Sequence, residues 1–97
     1  MQAEVPRALL RTALAEYLAR TYPELVREIG HVHVRSVHGT DGREYQIEVE
    51  VMWDDQPGGA VRVLAAIDDG SFRAFLPLCD DFLMSPDGRF RSSRGRS

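Results

Sequence analysis

Glu44-Tyr45-Gln46-Ile47-Glu48-Val49-Glu50-Val51-Met52-Trp53 alternates without a slip between two kinds of side chain. Tyr45, Ile47, Val49, Val51 and Trp53 share one side of an extended chain. Glu44, Gln46, Glu48, Glu50 and Met52 share the other. A strand with one apolar and one solvated face belongs to an antiparallel sheet covered on one side only.

The segments on either side extend this pattern. Upstream, Val32 and Val34 alternate with His31, His33 and Arg35, and Gly39-Thr40-Asp41-Gly42 is a turn that can close a hairpin. Pairing His38 with Arg43 sets Val34 opposite Ile47 and Val32 opposite Val49. It also sets His33 opposite Glu48 and His31 opposite Glu50, so the parities agree on both faces. Downstream, Val61, Val63, Ala65 and Ile67 predict a third strand. Asp69-Gly70 is a two-residue hairpin signal that pairs Ile67 with Phe72 and Ala65 with Ala74. Phe72 to Leu76 is then a fourth strand, ended by Pro77. Phe82-Leu83-Met84, the turn Ser85-Pro86-Asp87-Gly88 and Phe90 predict a short terminal hairpin.

The cover for the apolar face comes first in the chain. Leu10, Ala13, Leu14, Tyr17 and Leu18 recur at helical spacing in residues 7–20. Pro23 breaks that pattern, because an interior proline loses a hydrogen bond and clashes with the preceding turn. Thr21-Tyr22-Pro23-Glu24 matches a capping box, so a second short helix starts there and runs to Ile29, with Gly30 closing it. The expected fold is α+β: an N-terminal helix, broken near Thr21–Pro23, packed on one face of a four-stranded antiparallel meander, with a short C-terminal hairpin. Residues 1–90 form the domain, and 91–97 are expected to be a disordered Arg/Ser/Gly tail.

Composition limits the function classes. The chain has 97 residues, 43% hydrophobic and 28% charged, as in an ordinary globular domain. Cys79 is the one cysteine, so no intramolecular disulfide can form. The residues from Met1 to Pro6 carry no basic patch followed by an apolar run, and no stretch is apolar enough to span a membrane. A cytoplasmic location without membrane contact is expected. All twelve basic residues are arginine. Residues 89–97 hold four of them (Arg89, Arg91, Arg94 and Arg96) and no acid, whereas the first 88 residues hold eight arginines against fifteen acids. The body should therefore repel nucleic acid, and only the tail could attract RNA.

Four groups of residues have chemical potential. His31, His33, Glu48 and Glu50 on one sheet face carry the nitrogen and oxygen donors that zinc accepts, although charge pairing across strands explains the same pattern. Asp54-Asp55, Asp68-Asp69 and Asp80-Asp81 sit in turn-like contexts, where adjacent acids diverge into solvent instead of forming a catalytic pair. Cys79 is flanked by acids, which disfavour a thiolate, so a buried or half-buried structural thiol is expected. Met52, Leu64 and Phe75, with Arg62 and Arg73, make the outer sheet face too apolar to be ordinary surface, unless residues 82–90 fold over it. No phosphate loop, dinucleotide fingerprint or nucleophile elbow is present, so no enzyme activity and no cofactor are expected.

Phe72-Arg73-Ala74-Phe75, Leu76-Pro77-Leu78, Asp81-Phe82-Leu83 and Ser85-Pro86-Asp87-Gly88-Arg89-Phe90 together resemble the C-terminal half of small uncharacterised bacterial α+β proteins. The resemblance spans residues 44–90. It implies a stand-alone bacterial domain and transfers no functional residue. These readings point to a non-enzymatic domain that binds another protein, or a second copy of itself, through its outer sheet face or edge. The alternatives are a small ligand or metal held by the His/Glu face, and RNA held by the tail.

Overall fold

The register of two paired strands is set by the turn that joins them, and one such turn decides how this sheet is arranged. A computed structural model describes residues 4–68 and 78–92. The elements are α1 (Glu4–Leu18), α2 (Tyr22–Arg27), β1 (Val32–His38), β2 (Glu44–Trp53), β3 (Val61–Asp68), β4 (Leu78–Met84) and β5 (Phe90–Arg91). The fold is α+β, with the helices on one face of an open antiparallel sheet of order β1-β2-β3-β4-β5.

The core is the apolar side of β2 and β3 closed by the stripe of α1. Tyr45, Ile47, Val49 and Val51 pack with Val61, Val63, Ala65 and Ile67, and Leu10, Ala13, Leu14 and Tyr17 lie across them. Leu25 of α2, with Phe82 and Met84 of β4, completes the layer. The break between the helices is the expected capping box. The Thr21 N–H donates to Glu24 Oε1 at 2.9 Å, and the Glu24 N–H donates to Thr21 Oγ1 at 3.3 Å. The Tyr22 hydroxyl donates to the Gly59 carbonyl at 2.7 Å, which ties α2 to the β2–β3 loop.

The register of β1 differs from the sequence-based expectation by one residue. His38 pairs with Glu44, so Val34 lies opposite Glu48 and Val32 opposite Glu50, while His33 lies opposite Val49. The reason is the loop. The Gly39 N–H donates to the Arg43 carbonyl at 2.9 Å, and the Gly42 N–H donates back to the Gly39 carbonyl at 3.1 Å. Three residues therefore close the hairpin, with Gly42 at φ +82, a conformation open to glycine and costly for other residues. Gly39 is needed for a different reason: a Cβ there would come within 2.8 Å of Val5 and 2.9 Å of the Tyr45 ring. A one-residue change of phase turns every side chain of a strand over. Val32 and Val34 therefore point outward, 47% and 58% exposed, and His33 and Arg35 point to the helix side.

The strand beside β3 also differs from expectation. It is Leu78–Met84, with Ile67 opposite Leu78 and Ala65 opposite Asp80. The expected pairing of Ile67 with Phe72 and of Ala65 with Ala74 is not the one β3 makes. The segment Phe72–Leu76, with Arg73 and Phe75, lies outside the described residues. The terminal hairpin forms as expected, with Met84 opposite Phe90, and it continues to Leu83 opposite Arg91, so the ordered chain runs past residue 90.

The contrast between buried Ile47 and exposed Val34 gives a direct test. Ile47→Ala should destabilise the fold by about 2–5 kcal/mol, because a buried methylene-rich side chain leaves a cavity. Val34→Ala should cost less than about 0.5 kcal/mol, as for an exposed surface position. Urea denaturation of both variants checks this, and comparable losses at the two sites would contradict the arrangement.

Candidate functional site

The helices do not cover the sheet evenly. α1 lies mainly over β3 and β4, with α2 over β2 and β3, so β1 projects beyond the helical layer. The space under this overhang is a cleft of about 540 Å³. Its walls are Glu16 and Tyr17 of α1, Arg20 just after it, Glu28 after α2, and Val32, His33, Val34 and Arg35 of β1, with Ile47 and Val49 as its floor.

The polar groups of the cleft are arranged in pairs. His33 Nε2 and Glu28 Oε1 are 2.8 Å apart, and Arg35 donates to Glu16 Oε1 at 3.1 Å. Both pairs link β1 to the helical layer in place of apolar packing. Exposed pairs of this kind contribute about 0–1 kcal/mol each, so they orient the overhang more than they stabilise it. The Arg20 guanidinium stacks 4.4 Å from the centre of the Tyr17 ring and stands 3.8 Å from Glu28. Burial pushes the Tyr17 phenol above its ordinary pKa, opposed by the charge of Arg20. The hydrogen bond from His33 holds the Glu28 carboxyl below the usual range, helped by the charges of His33 and Arg20.

The second feature is the edge of β1. Antiparallel ladders alternate between residues that bond to the neighbouring strand and residues whose N–H and C=O point away from it. The Gly39–Arg43 bond starts that alternation, which places Val37, Arg35 and His33 in bonded pairs with β2. The main-chain groups of Val32, Val34 and Ser36 therefore face outward. Among the described residues no strand lies beyond β1.

The expected His/Glu face does not assemble. Glu48 and Glu50 lie on the outer face beside Val34 and Val32, while His33 turns the other way to Glu28. His31 precedes β1, with its ring 6.5 Å from that of His33. Among the described residues no group of three His, Cys, Asp or Glu side chains is placed to hold a metal ion. Met52, Arg62 and Leu64 do share the outer face, half-buried. Arg62 is clamped there between Asp54, at 2.5 Å, and Asp81. These carboxylates, Asp54 first, raise the pKa of an already permanent cation, so Arg62 is committed to its neighbours. Cys79 is exposed, opposite Ala66, and is not the buried or half-buried thiol expected from its sequence. Arg89 pairs with Asp87 at 3.7 Å, Arg91 lies in β5, and Arg94 and Arg96 lie outside the described residues. No described helix is long and apolar enough to cross a membrane.

The sequence reading missed the cleft altogether. Its residues come from three segments, and the register of β1 had to be right before His33 and Arg35 met Glu28 and Glu16. The only local signal was the short spacing from Glu28 to His33 across Gly30. No family model matches this chain, and no curated protein or solved structure matches it either.

The Glu28–His33 pair sets a pH dependence. A carboxyl whose pKa is depressed on folding stabilises the fold above its unfolded value of about 4.3, and that contribution is lost as pH falls through the lower folded value. In His33→Ala, Glu28 should titrate higher, back towards its ordinary range. A carbon-13 NMR titration of the side-chain carboxyls reads this, and a Glu28 midpoint that does not move would rule out the pair.

Proposed function

We propose that this chain is a non-enzymatic protein-interaction domain that takes an extended segment of another protein along the open edge of β1. The observation that carries the reading is the edge itself. Seven residues are paired on one side only, all but Val37 are exposed, and Val32 and Val34 add apolar side chains to the outward main-chain groups. An edge of this kind is a template for strand addition, in which main-chain hydrogen bonds supply affinity and alternate side chains supply selectivity.

A different protein is favoured over a second copy. Two β1 strands pairing antiparallel through Val32, Val34 and Ser36 overlap most when Arg35 lies opposite Arg35 or His33 of the other copy. Like charges directly opposite one another destabilise a strand pair. The outer-face residues Met52 and Leu64 are half-buried and Arg62 is held by two carboxylates, which makes that face a weaker candidate than the edge. A soluble cytoplasmic domain of bacterial type suits such a role.

Val34→Pro separates this reading from its competitors. The Val34 N–H points away from β2, so proline there removes an outward donor and spares the internal ladder. Extended peptides selected from a random display library on the wild-type domain should protect the amides of Val32, Val34 and Ser36 from hydrogen exchange. They should lose at least about tenfold in affinity for Val34→Pro. Selected peptides that bind both proteins equally, or that protect amides elsewhere, would count against the edge.

A further inference from the structure

The cleft behind β1 contains more hydrogen-bond donors than its own acceptors use. Among the described residues the Arg20 guanidinium makes no hydrogen bond: its nearest carboxylate oxygen, on Glu28, is 3.8 Å away. It is nevertheless held in place, stacked 4.4 Å from the Tyr17 ring centre and flanked by that carboxylate. The Tyr17 hydroxyl also has no partner among the described residues, and it is not a buried unsatisfied group, so it opens on the cleft. Arg35 spends one N–H on Glu16. A guanidinium carries five donors in a fixed fork that matches a carboxylate. Two arginines and a phenol therefore present unspent donors to one concavity, and Ile47 and Val49 form its floor.

We infer that this cleft is a binding site for a monocarboxylate with a short apolar body, held by Arg20 with help from Tyr17 and Arg35. The volume of about 540 Å³ lies within the range of small-ligand sites. The carboxylates of Glu16 and Glu28 argue against a ligand with a second negative charge, since that charge would lie beside one of them. The apolar floor suits an aliphatic chain. A free short-chain acid and the C-terminal carboxylate of a peptide ending in an aliphatic residue share this chemistry. Val32 and Val34 border the cleft as well as the β1 edge, whereas Ser36 belongs to the edge alone, so a change at Ser36 tests the edge without touching the cleft.

The test is a pair of titrations followed by amide and arginine side-chain NMR, at about 0.15 M salt so that non-specific charge attraction is screened. One uses hexanoate, and the other uses an N-acetylated tripeptide ending in leucine. Shifts at Arg20, Tyr17 and Arg35 that saturate with either probe support the site, and the probe that binds tighter identifies the source. Hexanamide should give no such shifts. Arg20→Gln should weaken binding at least tenfold while keeping native chemical-shift dispersion, and Arg35→Gln should weaken it less. Ser36→Pro, which removes an outward donor of the β1 edge and lies outside the cleft lining, should bind the probes as the wild type does while losing the selected extended peptides, so failure of the edge reading and failure of this one are separable. Absence of saturation with both probes, or unchanged binding in Arg20→Gln, would overturn the inference.

Discussion

The phase of β1 rests on a turn of three residues. Thr40, Asp41 and Gly42 close the hairpin because Gly42 can take a positive φ, and because Gly39 leaves room for Val5 and Tyr45. Asp41 reinforces the turn, accepting from the Tyr45 hydroxyl at 2.6 Å and from the Arg43 N–H at 3.1 Å. The Tyr45 bond is the main reason its carboxyl stays ionised to lower pH than usual. With the turn fixed, the alternation of β1 follows without further choice. His33 and Arg35 must face the helices, and Val32 and Val34 must face away.

Everything functional in the account follows from that phase. A strand that places His33 and Arg35 inward cannot be buried under an apolar helix, and here it is not: α1 lies mainly over β3 and β4, leaving β1 as an overhang. The overhang meets the helical layer through Glu16 and Glu28, and the gap between them is the cleft. Nothing beyond β1 covers its edge among the described residues. The buried core residues meanwhile come from α1, α2, β2, β3 and β4, and β1 adds only the half-buried Val37 at its margin. Most of the core thus lies away from β1, which leaves that strand open for the interaction proposed above.

The parts of this fold that were legible in the sequence are those where one strong pattern acts alone. The alternation of residues 44–53, the stripe of α1, the Thr21–Glu24 capping box and the turn at Ser85–Gly88 each dictate one local outcome. The β1 register was not legible, because two loop closures one residue apart are both chemically reasonable. The valines of β1 favoured the wrong one. Hydrophobic alternation marks the buried face only where something covers the strand, and the coverage of β1 depends on where α1 lies. The partner of β3 was misread for a related reason. Asp69-Gly70 is a strong hairpin signal, but Leu78–Met84 offers Phe82 and Met84 to the core at the right parity and takes the place beside β3.

The most direct test of the account is the pattern of cross-strand proton contacts between β1 and β2. Non-hydrogen-bonded pairs of an antiparallel ladder bring their Cα atoms to about 4.5 Å, close enough for strong nuclear Overhauser effects between facing Hα protons. Such effects are expected between Val34 and Glu48 and between Val32 and Glu50. Strong effects between Val34 and Ile47 and between Val32 and Val49 would instead show the other register, and the overhang, the cleft and the open apolar edge would go with it.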